Sequence, residues 1–112
     1  MTFSVQEPRK QRTVVLTHSR WEHIVGGHPE VETLGPYVQG AVTSPEIILA
    51  SLQRPEVELF YKRVREGKSG PLWMKVVVSF AAPDLGEVLT AFLVYNMTGG
   101  ELLWLHPHLK LI

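Results

Sequence analysis

Three histidines near the start of the chain are suited to acid–base chemistry, and an arginine among them is suited to binding phosphate. His18, His23 and His28 are five residues apart. Because a step of five residues turns a side chain by about 140° around an α-helix, the three cannot share one helix face. Arg20 lies three residues before His23, so these two side chains are neighbours on one side of a helix. An imidazole titrates near neutral pH and a guanidinium binds phosphate oxygens, which suits chemistry on a phosphodiester. Composition alone favours the alternative that His23 packs or caps and Arg20 is solvated.

A second pair of histidines flanks a proline near the end of the chain. His106 and His108 could chelate a metal from an extended segment, and a metal-dependent enzyme that uses them is one alternative. The chain has no cysteine and no HExxH motif, and no third ligand stands out. The sequence therefore favours neither a metal site nor a cofactor.

Lys75 and Thr90 fall on two consecutive predicted strands. If these strands pair across the Ala-Pro-Asp loop that joins them, Val77 lies opposite Thr90, and Lys75 shares a sheet face with Thr90. Tyr61 or Lys62, from the preceding strand, joins that face according to the register, since a slip of one residue reverses the assignment. A solvated strand lysine and an ordinary β-branched strand residue are the alternatives for Lys75 and Thr90.

Positive charge is concentrated in one strand and the turn that follows it. Lys62, Arg63 and Arg65 lie close together, with Lys68 soon after. A solvated edge strand accounts for such a pattern. An RNA-facing strip, in which Tyr61 stacks on a base, is the sharper alternative.

The composition indicates one ordinary globular domain over residues 1–112, with residues 1–12 as a flexible start or a short edge strand. Hydrophobic residues make up 45% of the 112 residues, and 11 basic residues balance 11 acidic ones. A net charge of zero argues against strong nonspecific binding to nucleic acid but leaves room for a local basic patch. No apolar run is long enough for a membrane helix or a signal peptide, so we expect a cytoplasmic protein without membrane contact.

Helical signals occupy the first part of the chain after one short strand at 13–16. Thr17 is a candidate N-cap for a helix that runs to about Val25, where Gly26 and Gly27 would end it in the left-handed conformation. A second helix starts at Pro29 and should be kinked or split at Gly35-Pro36.

Strand signals dominate from residue 45 onward and are joined by short connections. Consecutive strands with such connections pair antiparallel. The pattern predicts an α+β fold in which N-terminal helices pack on a curved antiparallel sheet of four to five strands. The predicted strands cover 47–49, 57–64, 72–80, 88–95 and 102–105.

Several segments, taken in order, resemble the phage-associated nuclease-like domains of the barnase–EndoU–colicin–RelE group. Each segment is weak alone, and the order carries the resemblance, which spans roughly residues 13–95. The segments are Leu16–Ile24, His28–Glu30, Ser44–Ile47, Phe60–Lys62, Met74–Val78 and Leu89–Phe92.

This resemblance implies metal-independent RNA cleavage by an endoribonuclease toxin, with RNA as substrate and a cognate antitoxin as partner. It implies that His23 is the acid–base residue, that Arg20, Lys62 or Lys75 holds the phosphate, and that Thr90 lines the site. The ribose 2′-OH would attack the adjacent phosphate, with cations stabilising the charge that builds on phosphorus. The hypothesis requires His23, Arg20, Lys75 and Thr90 to converge on one concave surface.

A non-catalytic interaction module on the same fold is the main alternative. It is consistent with the zero net charge and with the apolar segment Leu102–Ile112, which contains Trp104 and could lie against another chain, including a second copy of this one.

Overall fold

The computed structural model describes residues 1–109, in which two α-helices accompany one sheet of seven strands. Two short 3-10 helices, Pro29–Leu34 and Pro107–Leu109, complete the regular structure. The α-helices are α1 (His18–Gly27) and α2 (Gly35–Thr43), and the strands are β1 (Phe3–Gln6), β2 (Thr13–Leu16), β3 (Ile47–Ala50), β4 (Val57–Gly67), β5 (Gly70–Ala82), β6 (Leu85–Val94) and β7 (Leu102–Leu105).

The sheet is mixed, and its strand order is β1-β2-β6-β5-β4-β3-β7. The strands β3 to β6 form antiparallel neighbours, as the short connections predict. The parallel pairing of β2 with β6 adds the β1–β2 hairpin to one side, and β7 adds to β3 on the other. The prediction of an α+β fold is confirmed. The prediction of an antiparallel sheet of four to five strands is wrong, because rules for consecutive strands do not cover the pairing of β2 with β6.

The N-terminal twelve residues are part of the sheet. Phe3–Gln6 pairs with Thr13–Leu16, so the short edge strand, and not a flexible start, is the alternative that the structure adopts. Two strands thus precede the helices, which occupy the chain between β2 and β3.

The helices cover one face of the sheet, which we call the helix face. Its core is formed by alternate strand residues packed against the buried sides of α1 and α2. Trp21 and Ile24, three residues apart on one side of α1, are its buried residues. The fully buried members of this core are Val14, Val31, Val38, Ala41, Val42, Ile48, Phe60, Met74, Val76, Val78 and Ala91. None of the described helices is long and apolar enough to cross a membrane.

The start of α1 follows the prediction, but its end does not. The Thr17 hydroxyl accepts a hydrogen bond from the Arg20 amide at 3.2 Å, which caps the helix. Gly26 and Gly27 lie inside the last turn without positive φ angles, so the predicted left-handed cap is wrong. The helix ends at the next residue because Pro29 disfavours helical geometry in His28 before it, whose φ and ψ are −136° and 74°.

The predicted break at Gly35-Pro36 is confirmed. A 3-10 helix ends at Leu34, and α2 begins at Gly35 with the proline in its first turn, where the missing amide costs no hydrogen bond.

A cluster of buried charges fixes the β1–β2 loop to the sheet. The Arg12 guanidinium donates to Glu7 at 2.8 Å and to both oxygens of Glu58 at 2.9 and 2.8 Å, and it lies 3.6 Å from the centroid of the Phe80 ring. Burial alone would raise the pKa of Glu7, but hydrogen bonds from Arg12 and from backbone amides of the loop lower it below the usual value. Glu7 is therefore ionised at neutral pH and held against the Arg12 guanidinium, which Glu58 contacts with both of its oxygens.

Candidate functional site

The face of the sheet opposite the helices, which we call the open face, carries a row of three side chains from adjacent strands. Tyr61 on β4 is opposite Lys75 on β5, and Lys75 is opposite Phe92 on β6. The Lys75 Nζ lies 5.5 Å from the centroid of the Phe92 ring and 5.9 Å from that of the Tyr61 ring. These distances allow cation–π attraction from both sides, which fixes the position of the charge.

Among the described residues, Lys75 has no carboxylate partner. Its Nζ lies 3.3 Å from the Thr98 hydroxyl. Among residues 1–109, no aspartate or glutamate lies within ion-pair distance of it. An ammonium held between aromatic rings with no counter-charge is available to an anionic ligand.

His28 lies beside this row. Its ring stacks on the ring of Phe92, with the centroids 4.9 Å apart and the planes inclined by 20°. Phe92 therefore has an imidazole and an ammonium as neighbours. The helical-wheel argument set His28 apart from His23, but that argument ends with α1 at Gly27. Sequence reasoning missed His28 as a site candidate, and its place directly after two glycines and before a proline was the available signal.

Arg20 and His23 border β6 from the side of α1. The parallel pairing of β2 with β6 ends at Glu87, and α1, which follows β2, continues along the next part of β6. The Arg20 Nη1 donates to the carbonyl of Leu89 at 3.4 Å. Ser19, Arg20 and His23 together line a surface depression, so the predicted proximity of the last two is confirmed.

Thr90 follows Leu89, whose carbonyl accepts from Arg20, and it lies on the same sheet face as Lys75. It is opposite Val77, as the sequence predicts, and is therefore a diagonal neighbour of Lys75, at a typical spacing of about 7–8 Å. Arg20, Thr90 and Lys75 thus follow one another across β6 and β5. Within the part of the chain that the structure describes, no hydrogen bond or ion pair joins His23 to Lys75 or Thr90.

The register of β4 against β5 also shows which of Tyr61 and Lys62 lies on the same face as Lys75. Tyr61 is on the open face but fully buried, and its hydroxyl donates to the Thr98 carbonyl at 2.7 Å and accepts from the Thr98 amide at 3.2 Å. It therefore positions the segment around Thr98 and leaves no surface for the RNA contact expected of it.

Lys62 and Arg63 lie outside the row. Lys62 is opposite Met74 on the helix face, and its Nζ donates to the Ser44 carbonyl at 3.0 Å, so it shares no surface with Lys75. Arg63 is on the open face, opposite Trp73, and its guanidinium is paired with Glu66. The predicted phosphate contacts of Lys62 and Arg63 therefore have no geometric support.

A cleft of about 420 Å³ opens on the open face next to Lys75. Apolar side chains of β4, β5 and β6 line it, together with polar residues of the loop at 51–54 and of the Thr98–Gly99 segment. No acidic residue is among its lining residues. Although the chain has no net charge, this surface presents the cations Arg54 and Lys75.

The rings of the histidine pair near the end of the chain are in contact, with their planes inclined by 51°. The ring centroids of His106 and His108 lie 3.9 Å apart, and the His108 amide lies 3.3 Å from Nδ1 of His106. Within residues 1–109, no group of three or more histidine and acidic side chains is placed to hold a metal ion. The apolar segment Leu102–Ile112 consists of β7 and a 3-10 turn up to Leu109, and its last three residues lie outside the described residues.

No protein-family model, curated protein or solved structure matches this chain. The case for a function therefore depends on the geometry of the open face.

Proposed function

We propose that this protein is a metal-independent endoribonuclease of the toxin type, related to the barnase–EndoU–colicin–RelE group, and that the open face is its active surface. The observation that carries the proposal is the position of Lys75, an ammonium without a carboxylate partner among residues 1–109, flanked by Phe92 and Tyr61; the imidazole of His28 stacks on the same Phe92 ring. Arg20 and Thr90 continue this surface along β6.

The proposed reaction is an internal transfer of a phosphoryl group. An imidazole removes the proton of a ribose 2′-OH, the O2′–P bond forms, and the P–O5′ bond breaks as the leaving oxygen receives a proton. Lys75 and Arg20 stabilise the charge on the phosphoryl oxygens. The products are a 2′,3′-cyclic phosphate and a free 5′-hydroxyl.

Two histidines are candidates for the proton transfers. The family resemblance points to His23, which lies beside Arg20. The geometry adds His28, whose ring shares Phe92 with Lys75. Two imidazoles on one surface would allow one to act as base and the other as acid.

The reaction is tested with a single-stranded RNA of mixed sequence in the presence of EDTA. The wild-type protein should cleave the RNA and leave cyclic phosphate ends. A single 2′-deoxy substitution at the cleavage position should abolish cleavage there, because the attacking group is gone. Absence of cleavage under any solution condition, together with absence of toxicity on expression, contradicts the proposal.

The histidine roles are separated with three alanine variants. His23→Ala, His28→Ala and Thr90→Ala should each lower the cleavage rate, by about 10²-fold or more for a histidine that transfers a proton. His18→Ala is the matched control, because His18 is also on α1 but is paired with Glu22. An equal loss of cleavage rate in the control would show that these substitutions act by disturbing α1 and not by removing a proton-transfer group.

An interaction module remains the second candidate, and two exposed leucines favour it. Leu52 and Leu102 are 79% and 53% exposed, and β7, which contains Leu102, is an edge strand of the sheet. Light scattering and copurification distinguish the candidates. A stable homodimer or an antitoxin complex that is lost in Leu102→Ser, without any RNA cleavage by the free protein, favours the module.

A further inference from the structure

The floor of the cleft beside Lys75 is aliphatic and comes from three adjacent strands. Val57 and Leu59 of β4, Val77 of β5 and Leu89 of β6 line it. An apolar floor suits a planar ring with two apolar faces, such as a nucleobase. A phosphate would gain nothing from these side chains, so the floor and Lys75 suit different parts of one nucleotide.

The rim at 51–56 is held in one conformation by its own hydrogen bonds. The Ser51 hydroxyl accepts from the amides of Gln53 and Arg54 at 3.1 and 3.3 Å. The Val57 amide donates to the Arg54 carbonyl at 3.1 Å, and the Ser51 amide donates to the Val57 carbonyl at 3.0 Å. The side chains of Gln53 and Arg54 therefore project from a preorganised turn at the mouth of the cleft, which lowers the entropy cost of binding.

The Arg54 guanidinium is held in one orientation, but only some of its N–H groups donate hydrogen bonds. Its Nε and Nη2 donate to one oxygen of Glu56 at 3.1 and 2.8 Å. Within residues 1–109, its Nη1 has no hydrogen-bond partner. The Glu56 carboxylate thus fixes the guanidinium plane and leaves donors for the edge of a base. Gln53 adds one donor group and one acceptor group.

Leu52 is the apolar residue that the cleft leaves most exposed. Its side chain is 79% exposed although it lines the cleft. A ring that lies on the floor would cover the Leu52 side chain, and removing this apolar surface from water would stabilise the complex.

The Thr98–Gly99 segment, which adjoins the loop at 51–54, comes close to the floor because it contains glycine. A Cβ on Gly99 would lie 3.0 Å from the Leu49 Cβ and 3.1 Å from the Leu59 Cδ1, and its φ of 154° is one that other residues rarely adopt. Thr98, the residue before it, contacts Lys75. The same segment therefore closes the cleft and positions the ammonium at its edge.

We infer that this cleft is a base-specificity subsite, which binds the nucleobase next to the phosphate held by Lys75 in a single-stranded RNA. Gln53 and Arg54 read the edge of the base, while the aliphatic floor and Leu52 contact its faces. The inference rests on the proposed function for its substrate. It assigns base preference to a loop that lies outside the proposed catalytic residues.

The test is a titration of the protein, with methyl groups labelled for NMR, by each of the four nucleoside 3′-monophosphates and by inorganic phosphate. The methyl signals of Leu59, Val77 and Leu89 should shift with the nucleotides and not with phosphate alone, and one base should bind more tightly than the others. Methyl signals of Val38 on the helix face should stay unchanged.

Arg54→Ala and Gln53→Ala should weaken binding of the preferred nucleotide by about tenfold, the loss of roughly one hydrogen bond to a charged or polar group, and should reduce the difference between bases. Arg65→Ala is the matched control, because Arg65 is exposed on β4 and has no acidic partner among residues 1–109. It should leave binding unchanged. Both loop residues are exposed, so neither variant threatens the fold.

This readout does not depend on cleavage, so the two proposals fail separately. RNA cleavage without nucleotide shifts in the cleft, or with unchanged base ranking in both loop variants, overturns the subsite and leaves the nuclease. Base-selective shifts in the cleft of a protein that cleaves no RNA support a base subsite and overturn the nuclease.

Discussion

The two faces of the sheet differ in what covers them. On the helix face, Phe60, Met74 and Val76 are fully buried beneath the helices. On the open face, Lys75 alternates with Met74 and Val76 along β5 but is only half-buried, as is Phe92 beside it on β6. One set of strands therefore serves stability on one side and presents charged and aromatic groups on the other. Successive side chains of a β-strand point to opposite faces of the sheet, so core packing and the exposed groups use different positions of the same strand.

Replacement of Phe60 by alanine should cause the largest loss of stability in this comparison. Its ring is fully buried and lies 6.4 Å from the ring of Phe80, so we expect a loss of about 3–5 kcal/mol in the free energy of unfolding. Phe92→Ala is the matched change on the open face and should cost less than half as much. Urea denaturation measures both free energies of unfolding. Equal losses would contradict the conclusion that the helix face contributes more to stability than the open face.

Glu58→Ala should follow at about 3 kcal/mol, because it removes one of the two carboxylates that neutralise the buried Arg12. Glu56→Ala, just before β4, removes the partner of an exposed arginine and should cost much less than Glu58→Ala, because solvent screens an exposed ion pair. A similar loss in both variants would show that burial does not govern these ion pairs.

The same cluster predicts a loss of stability in acid. Hydrogen bonds outweigh burial and lower the pKa of Glu7 in the folded protein, so its contribution is present above the unfolded pKa and is lost as the pH falls through the lower folded pKa. Stability should therefore decline below about pH 4.5, the ordinary value for a glutamate. Glu7→Gln should make that decline shallower in urea denaturation measured between neutral and acid pH. An unchanged slope would assign the acid sensitivity to other groups.

Local patterns predicted most of the helices and strands and the register between β5 and β6 at Val77. The Thr17 cap, the break at Gly35 and the pairing of Val77 with Thr90 all depend on neighbouring residues or on one short loop. These features could be inferred because helix caps and hairpins are decided by contacts that are close in sequence.

Contacts between distant segments account for what the sequence did not predict. The β2–β6 pairing joins strands at opposite ends of the chain, and the burial of Tyr61 depends on Thr98, 37 residues later. His28 lies on Phe92 because α1 runs along β6, which follows from that same pairing. No short-range pattern contains this information.

Tyr61→Phe should have a smaller effect on stability than Phe60→Ala or Glu58→Ala, about 1 kcal/mol, because it removes one hydroxyl with two hydrogen bonds to Thr98 and keeps the buried ring. The clearer result should be local. Hydrogen exchange at the Thr98 amide should become faster, while exchange in α2 should follow only the small global change. Unchanged exchange at Thr98 would contradict the role of Tyr61 in holding this segment.

Cleavage of single-stranded RNA in EDTA by Lys75→Ala, compared with Lys68→Ala, tests most directly whether the open face is the active surface. Lys68 is an exposed lysine in the β4–β5 turn without an acidic partner within residues 1–109, so it controls for the loss of one positive charge. We expect Lys75→Ala to lower the cleavage rate by about 10²-fold or more, with unfolding by urea little changed, and Lys68→Ala to cleave like the wild type. Wild-type cleavage by Lys75→Ala, or an equal loss in both variants, would contradict the account.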